Sequence, residues 1–244
     1  MDGDYVFANK RRGRDWGGSM RTVRAWQHCL LYVILVTGLP LTANAAGKIQ
    51  VYGLRMTPTG QDASRFSRPC WGGGLAVIAP LPQVHNLIAG VLGFEAANML
   101  TQTTVFPDRQ TGLRVEQQTN QDYYRLYLGG RVGPHGPGLI RPFAGSNIAL
   151  VVYGISTDVV VPDDVNRENE IRQNLRSRTE SGFGWDITLG TDLNIHNTVA
   201  LEGGVRFLKS FGVPQQLGAG SMRVEPAYFQ VYLGLGVEFG AMKN

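Results

Sequence analysis

Cysteine is nearly absent from this sequence: Cys29 and Cys70 are the two among 244 residues, and the first lies within a segment that reads as a cleaved leader while the second lies beyond it. An intrachain disulfide is therefore excluded after cleavage, and with it the class of small secreted domains stapled by such bonds. Charge is also sparse, at 17% Asp, Glu, Lys and Arg. Six of the 23 bases and three of the 19 acids precede Ala46, which leaves 17 against 16 and reduces the net charge from +4 to +1. That near-neutral remainder carries no electrostatic footprint for a nucleic-acid partner. Beyond Leu41 there is no apolar run of helical length, so a helical span of a bilayer is excluded for the rest of the chain.

The start of the chain carries an address. From Met20, the bases Arg21 and Arg24 precede an apolar run from Cys29 to Leu41, and Ala43-Asn44-Ala45 supplies the small residues of a signal-peptidase site. The run is roughly 13 residues, short of the ~20 that a spanning helix needs. Residues 1–19 are polar and basic and read as an extended or non-native leader, with translation starting at Met20. The expected organisation is thus a leader (1–19), a signal peptide (20–45) and one β domain (46–244).

Alternation of apolar with polar or small residues recurs near 48–57, 71–79, 88–97, 121–132, 140–154, 182–193, 197–209 and 226–239, a count of eight strands. The last shows it best: Phe229, Val231, Leu233, Leu235, Val237 and Phe239 form an apolar row opposite Tyr228, Gln230, Tyr232, Gly234, Gly236 and Glu238. The connections alternate between long (58–70, 98–120, 155–181, 210–225) and short (80–87, 133–139, 194–196), so the long ones share one end. The spacing predicts an all-β fold, a closed eight-stranded antiparallel up-and-down transmembrane β-barrel, because closure pairs every backbone group. The phases of 48–57, 71–79 and 140–154 stay unassigned. Phe229 and Phe239 stand roughly 33 Å apart along a strand. Tilted by about 45°, this projects to about 23 Å, near the ~25 Å apolar band of such barrels. Tyr124, Trp185 and Phe207 share the apolar rows and complete a lipid-facing girdle with Phe229 and Phe239.

The final strand resembles the C-terminal assembly signal of bacterial outer-membrane proteins, with Gly234, then Val237, then the aromatic Phe239. Over 47–239 the chain resembles the small outer-membrane barrels of the outer-membrane protein A or X type. That resemblance implies the outer membrane of a Gram-negative bacterium as its location, with membrane lipid, lipopolysaccharide and the barrel-assembly machinery as partners. No cofactor and no enzymatic activity are expected.

Glu95, Arg125, Arg131, Asp186, Glu202, Arg206 and Glu238 fall on the rows opposite the lipid face. Eight strands enclose a lumen that side chains fill, and charges within it must pair. They read as a salt-bridge network that plugs the lumen; a narrow, gated ion path lined by the same residues is the alternative. Gly93, Gly129, Gly184, Gly190, Gly204, Gly234 and Gly236 are expected to make room for the long arginines. A histidine-dependent lipid esterase is disfavoured, since His85, His135 and His196 lie in short turns without a serine and acid partner. The oxygen-rich Asp163, Asp164, Asn166, Glu168 and Glu170 lack the glycine of a calcium loop, so no metal site is expected. The function expected is structural, surface-interaction or adhesive, through the long loops. A porin-like channel is the alternative, and a soluble carrier barrel is disfavoured by the charged interior.

Overall fold

The computed structural model describes residues 47–240, apart from 85–86, 108–113, 136–137, 162–170, 197 and 218–219. The leader, His85 and the 163–170 acidic cluster lie outside the described residues. The barrel strands are β1 (Gly47–Thr59), β2 (Cys70–Pro80), β3 (Ile88–Pro107), β4 (Arg114–Val132), β5 (Ile140–Val161), β6 (Ile171–His196), β7 (Val199–Phe211) and β10 (Ala227–Phe239). A short helix, α1 (Gly60–Phe66), follows β1, and β8 (Val213–Leu217) and β9 (Gly220–Val224) form a separate two-stranded sheet between β7 and β10.

The eight strands close into a ring in the order β1-β10-β7-β6-β5-β4-β3-β2, every neighbour antiparallel. Closure is made by the first and last strands, which pair from Gly47↔Phe239 to Thr59↔Ala227. Closing the ring removes the exposed edges that an open sheet would leave. The meander puts both terminal strand ends and the short turns at one end of the ring, and α1, the β8–β9 hairpin and the long hairpins at the other.

Four strands run well past the expected ends. Residues expected in the loops 98–120 and 155–181 largely continue the β3–β4, β4–β5 and β5–β6 ladders, reaching Pro107↔Arg114, Glu116↔Val160 and Val161↔Ile171. The ladder slips by one residue at Asn98/Leu100 and at Thr157/Asp158, as β-bulges do where a wall bends. These extensions are mostly polar, with scattered apolar residues such as Met99, Val115 and Val160 but no sustained alternating row to mark them in the sequence; backbone pairing carries them instead.

The faces alternate strictly. On β10, Tyr228, Gln230, Tyr232, Gly234 and Gly236 are buried in the ring, while Phe229, Val231, Leu233, Leu235 and Val237 are exposed outside it. The three strands of unassigned phase now resolve. Lys48, Gln50, Tyr52, Leu54 and Met56 point inward on β1, Cys70, Ala76 and Ile78 on β2, and Arg141, Asn147, Ala149, Val151 and Tyr153 on β5. The lumen changes character along its length. Toward the long hairpins it holds an apolar core of Leu54, Met56, Met99 and Leu208, with Tyr123 set against Tyr153 and Tyr228 at ring separations of 5.4 and 6.1 Å. Toward the short turns it is charged.

The inward glycines make room for rings, a lysine stem and neighbouring backbone rather than for arginines. A Cβ on Gly93 would fall 2.2 Å from the Tyr127 ring, and one on Gly204 would fall 2.8 Å from the Tyr232 hydroxyl. Gly190 accommodates Phe143 and Gly236 the Lys48 stem, while Gly129, Gly184 and Gly234 abut the backbone of the neighbouring strand. A planar ring laid flat across a neighbour needs that neighbour's Cβ position empty, whereas a guanidinium extends past it into the lumen.

Candidate functional site

The charged part of the lumen is built from ten side chains on seven strands: the bases Lys48, Arg125, Arg131, Arg141 and Arg206, and the acids Glu95, Asp186, Asp192, Glu202 and Glu238. Five charges of each sign make it formally neutral. Each ion taken out of water costs several kcal/mol, so neutrality and dense pairing are what let the chain bury them.

Two clusters stack along the barrel. In the middle, the Glu95 carboxylate accepts from Arg125 (3.1 Å), from Arg206, from the Tyr52 hydroxyl (2.8 Å) and from Gln230 (3.4 Å). Asp186 accepts from Arg125, from Asn147 (2.8 Å) and from Thr188 (3.0 Å). Arg206 also donates to Thr188 (2.9 Å) and lies 5.1 Å from the ring centres of both Tyr127 and Tyr232. A charged donor over a π face gains electrostatically without needing a further acceptor.

The second cluster lies at the short-turn end. Lys48 donates to Asp192 (2.6 Å) and to Glu202, and Arg131 reaches the same two acids at 3.1 and 3.0 Å. Arg141 pairs with Glu238 and approaches Asp192 at 3.7 Å. With its amide nitrogen turned inward, Gln50 donates to both Glu202 oxygens at 3.3 and 3.2 Å. Tyr232 links the clusters, since its hydroxyl donates to Glu202 (3.2 Å) while its ring faces Arg206. Between them, a cavity of ≈ 30 Å³ is bordered by Tyr127, Arg131, Asn147, Glu202 and Arg206. That volume holds about one or two waters.

All seven charged residues picked from the sequence fall in these two clusters, Glu95, Arg125, Asp186 and Arg206 in the first and Arg131, Glu202 and Glu238 in the second. Lys48, Arg141 and Asp192 were missed. The first two lie on strands whose phase the pattern leaves open, and Asp192 continues the Asp186–Thr188–Gly190 row by one more step, a signal that was there to be read. His135 was also set aside as a turn residue; it is buried, and its Nε2 accepts from Arg131 Nε at 2.8 Å. His196 ends β6 and is exposed.

Outside, Phe207 and Phe229 are exposed and directly paired across β7 and β10, Trp185 meets Phe207 edge to face at 6.2 Å, and Tyr124 and Phe239 are half-buried on the same surface. Of the assembly-signal residues, Val237 faces outward, Gly234 abuts Tyr52, and the Phe239 ring covers Gly47.

No protein-family model and no curated protein matches the sequence. Among solved structures, the chain is similar to Neisserial surface protein A, at 11% identity and a TM-score of 0.52, over 80% of this chain and 99% of that one. It also aligns with the attachment invasion locus protein of Yersinia pestis (12% identity, TM-score 0.43, 80% and 99% covered) and a major outer membrane protein of Thermus thermophilus (14%, 0.42, 79% and 99%). Strand count, meander order, ring closure and the first of these likenesses together show that the chain has the eight-stranded up-and-down fold of the small outer-membrane β-barrels.

Proposed function

We propose that this protein is a non-enzymatic outer-membrane β-barrel of a Gram-negative bacterium, in which the wall is an anchor and the long hairpins at one end meet an external partner in a structural or adhesive role. The observation that carries this reading is the inversion of the barrel: Val231, Leu233, Leu235 and Val237 are exposed while Glu95, Arg125 and Asp186 are buried. Such an arrangement is unfavourable in water and favourable when lipid surrounds the wall. The Gly234, Val237 and Phe239 strand is the element that barrel-assembly machinery would engage.

A conducting lumen is the competing role. The paired acids and bases, the tyrosine and methionine layer above them and a cavity of only ≈ 30 Å³ favour a plug. Planar-bilayer recording decides between them. The plug predicts no conductance from the wild type. Steady channels that change when Arg125 or Glu202 is neutralised would replace the anchor reading with the porin one.

A further inference from the structure

Short of the polar extensions of β3 to β6, the outward rows of the barrel strands are apolar with three charged exceptions among the described residues: Arg55 on β1, Asp122 on β4 and Lys209 on β7. All three lie toward the long-hairpin end. Two of them are satisfied within the chain. Asp122 accepts from Asn98 at 3.0 Å, and Lys209 pairs with Glu225 at 2.8 Å.

Arg55 differs. It has no ion pair among the described residues, and its guanidinium lies 5.7 Å from the ring centre of Trp71, which is 73% exposed. On β1 the outward row runs Ile49, Val51, Gly53 below it and Thr57 above it, so Arg55 marks where this row turns from apolar to polar. Trp71 also forms one wall of an open groove of ≈ 250 Å³; Tyr124 forms another, and Gly72, Ala96 and Ala97 lie between them. Asp122 and Asn98 also line the groove.

We propose that this rim is a binding site for a phosphorylated lipid of the outer leaflet, with the phosphate on Arg55 and an acyl chain in the groove between Trp71 and Tyr124. The inference rests on the reading that the outward row meets a membrane. A cation at the border of the apolar band needs an anion or water beside it, and a lipid phosphate is the anion found at that depth. The guanidinium fork matches two phosphate oxygens, and the Trp71 face holds it flat. Asp122 repels a phosphate from the groove itself, so only the uncharged part of the lipid is accepted there. The small residues between the two aromatics leave the width of a chain.

The test uses protein extracted from cell envelopes and placed in phosphatidylcholine nanodiscs, with lipid A, a phosphorylated glycolipid, as the titrated probe. The site predicts saturable binding that Arg55→Gln weakens about ten-fold and Arg55→Lys about three-fold, while Lys209→Gln leaves it unchanged. Dephosphorylated lipid A is expected to bind no better than the Arg55→Gln variant, and millimolar inorganic phosphate is expected not to compete. Equal binding by wild type and Arg55→Gln would overturn the site, as would displacement by inorganic phosphate, which would reduce it to a simple anion contact. Failure of the wild type to insert into nanodiscs would strike at the membrane reading instead, and Arg55→Gln serves as the folded control because its side chain lies outside the core.

Discussion

Arg125 and Glu95 stand directly opposite one another on β4 and β3, and their side chains meet at 3.1 Å with neither in contact with solvent. Arg125 also pairs with Asp186, so one guanidinium ties three strands together across the lumen. The network is a set of interlocked dependencies, and its members fail unequally when removed.

Replacing Arg125 with Gln leaves two buried carboxylates short of a cation and is expected to cost about 3–5 kcal/mol. The double variant Arg125→Gln/Glu95→Gln restores the charge balance. It is expected to lose less than the sum of the two single losses, with a coupling of about 1–3 kcal/mol. Urea unfolding of the four proteins in lipid vesicles, followed by gel mobility, measures the cycle.

Gly93→Ala and Gly53→Ala separate space from propensity. A Cβ at Gly93 would enter the Tyr127 ring, whereas one at Gly53 meets nothing within 4 Å. The first substitution is expected to destabilise by about 1–3 kcal/mol through overpacking, and the second by less than ~0.5 kcal/mol. The same unfolding assay reads both.

Leu233 is 60% exposed and sits near the middle of the outward row of β10. Leu233→Arg is expected to cost about 2–4 kcal/mol in a bilayer, while the same change at Leu81 in a short turn costs about 0–1 kcal/mol. Equal costs would mean that the row does not lie in lipid.

Orientation follows from labelling. Leu175, on the extended part of β6, and Leu139, at a short turn, are both well exposed, and the native Cys70 is buried. A membrane-impermeant maleimide on intact cells is expected to modify Leu175→Cys and to modify Leu139→Cys only after the outer membrane is opened. The reverse pattern would invert the barrel.

The strand count and meander were legible because the belt imposes a period-two contrast between one apolar and one polar face, strongest on β6, β7 and β10. β1 resisted reading for a physical reason. Its inward row passes from Lys48 and Gln50 to Leu54 and Met56 while its outward row passes from Ile49 and Val51 to Arg55 and Thr57, so the two faces exchange character halfway. Hidden with its phase was Lys48, and with the phase of β5, Arg141; the seven legible charges alone left an excess of acid that these two bases and Asp192 balance. The extensions of β3 to β6 were read as loops because runs such as Thr101-Gln102-Thr103-Thr104 bury neither face. Periodicity reports a difference in burial, and ladder hydrogen bonds alone leave no such mark.

The central claim is a closed, ion-plugged barrel held in the outer membrane. It is tested most directly by fractionating the envelope and comparing the gel mobility of the detergent-extracted protein with and without boiling. The account predicts an outer-membrane protein whose unboiled band migrates differently from the boiled one, as a compact barrel that survives detergent. A single unshifted band in the soluble fraction would contradict it.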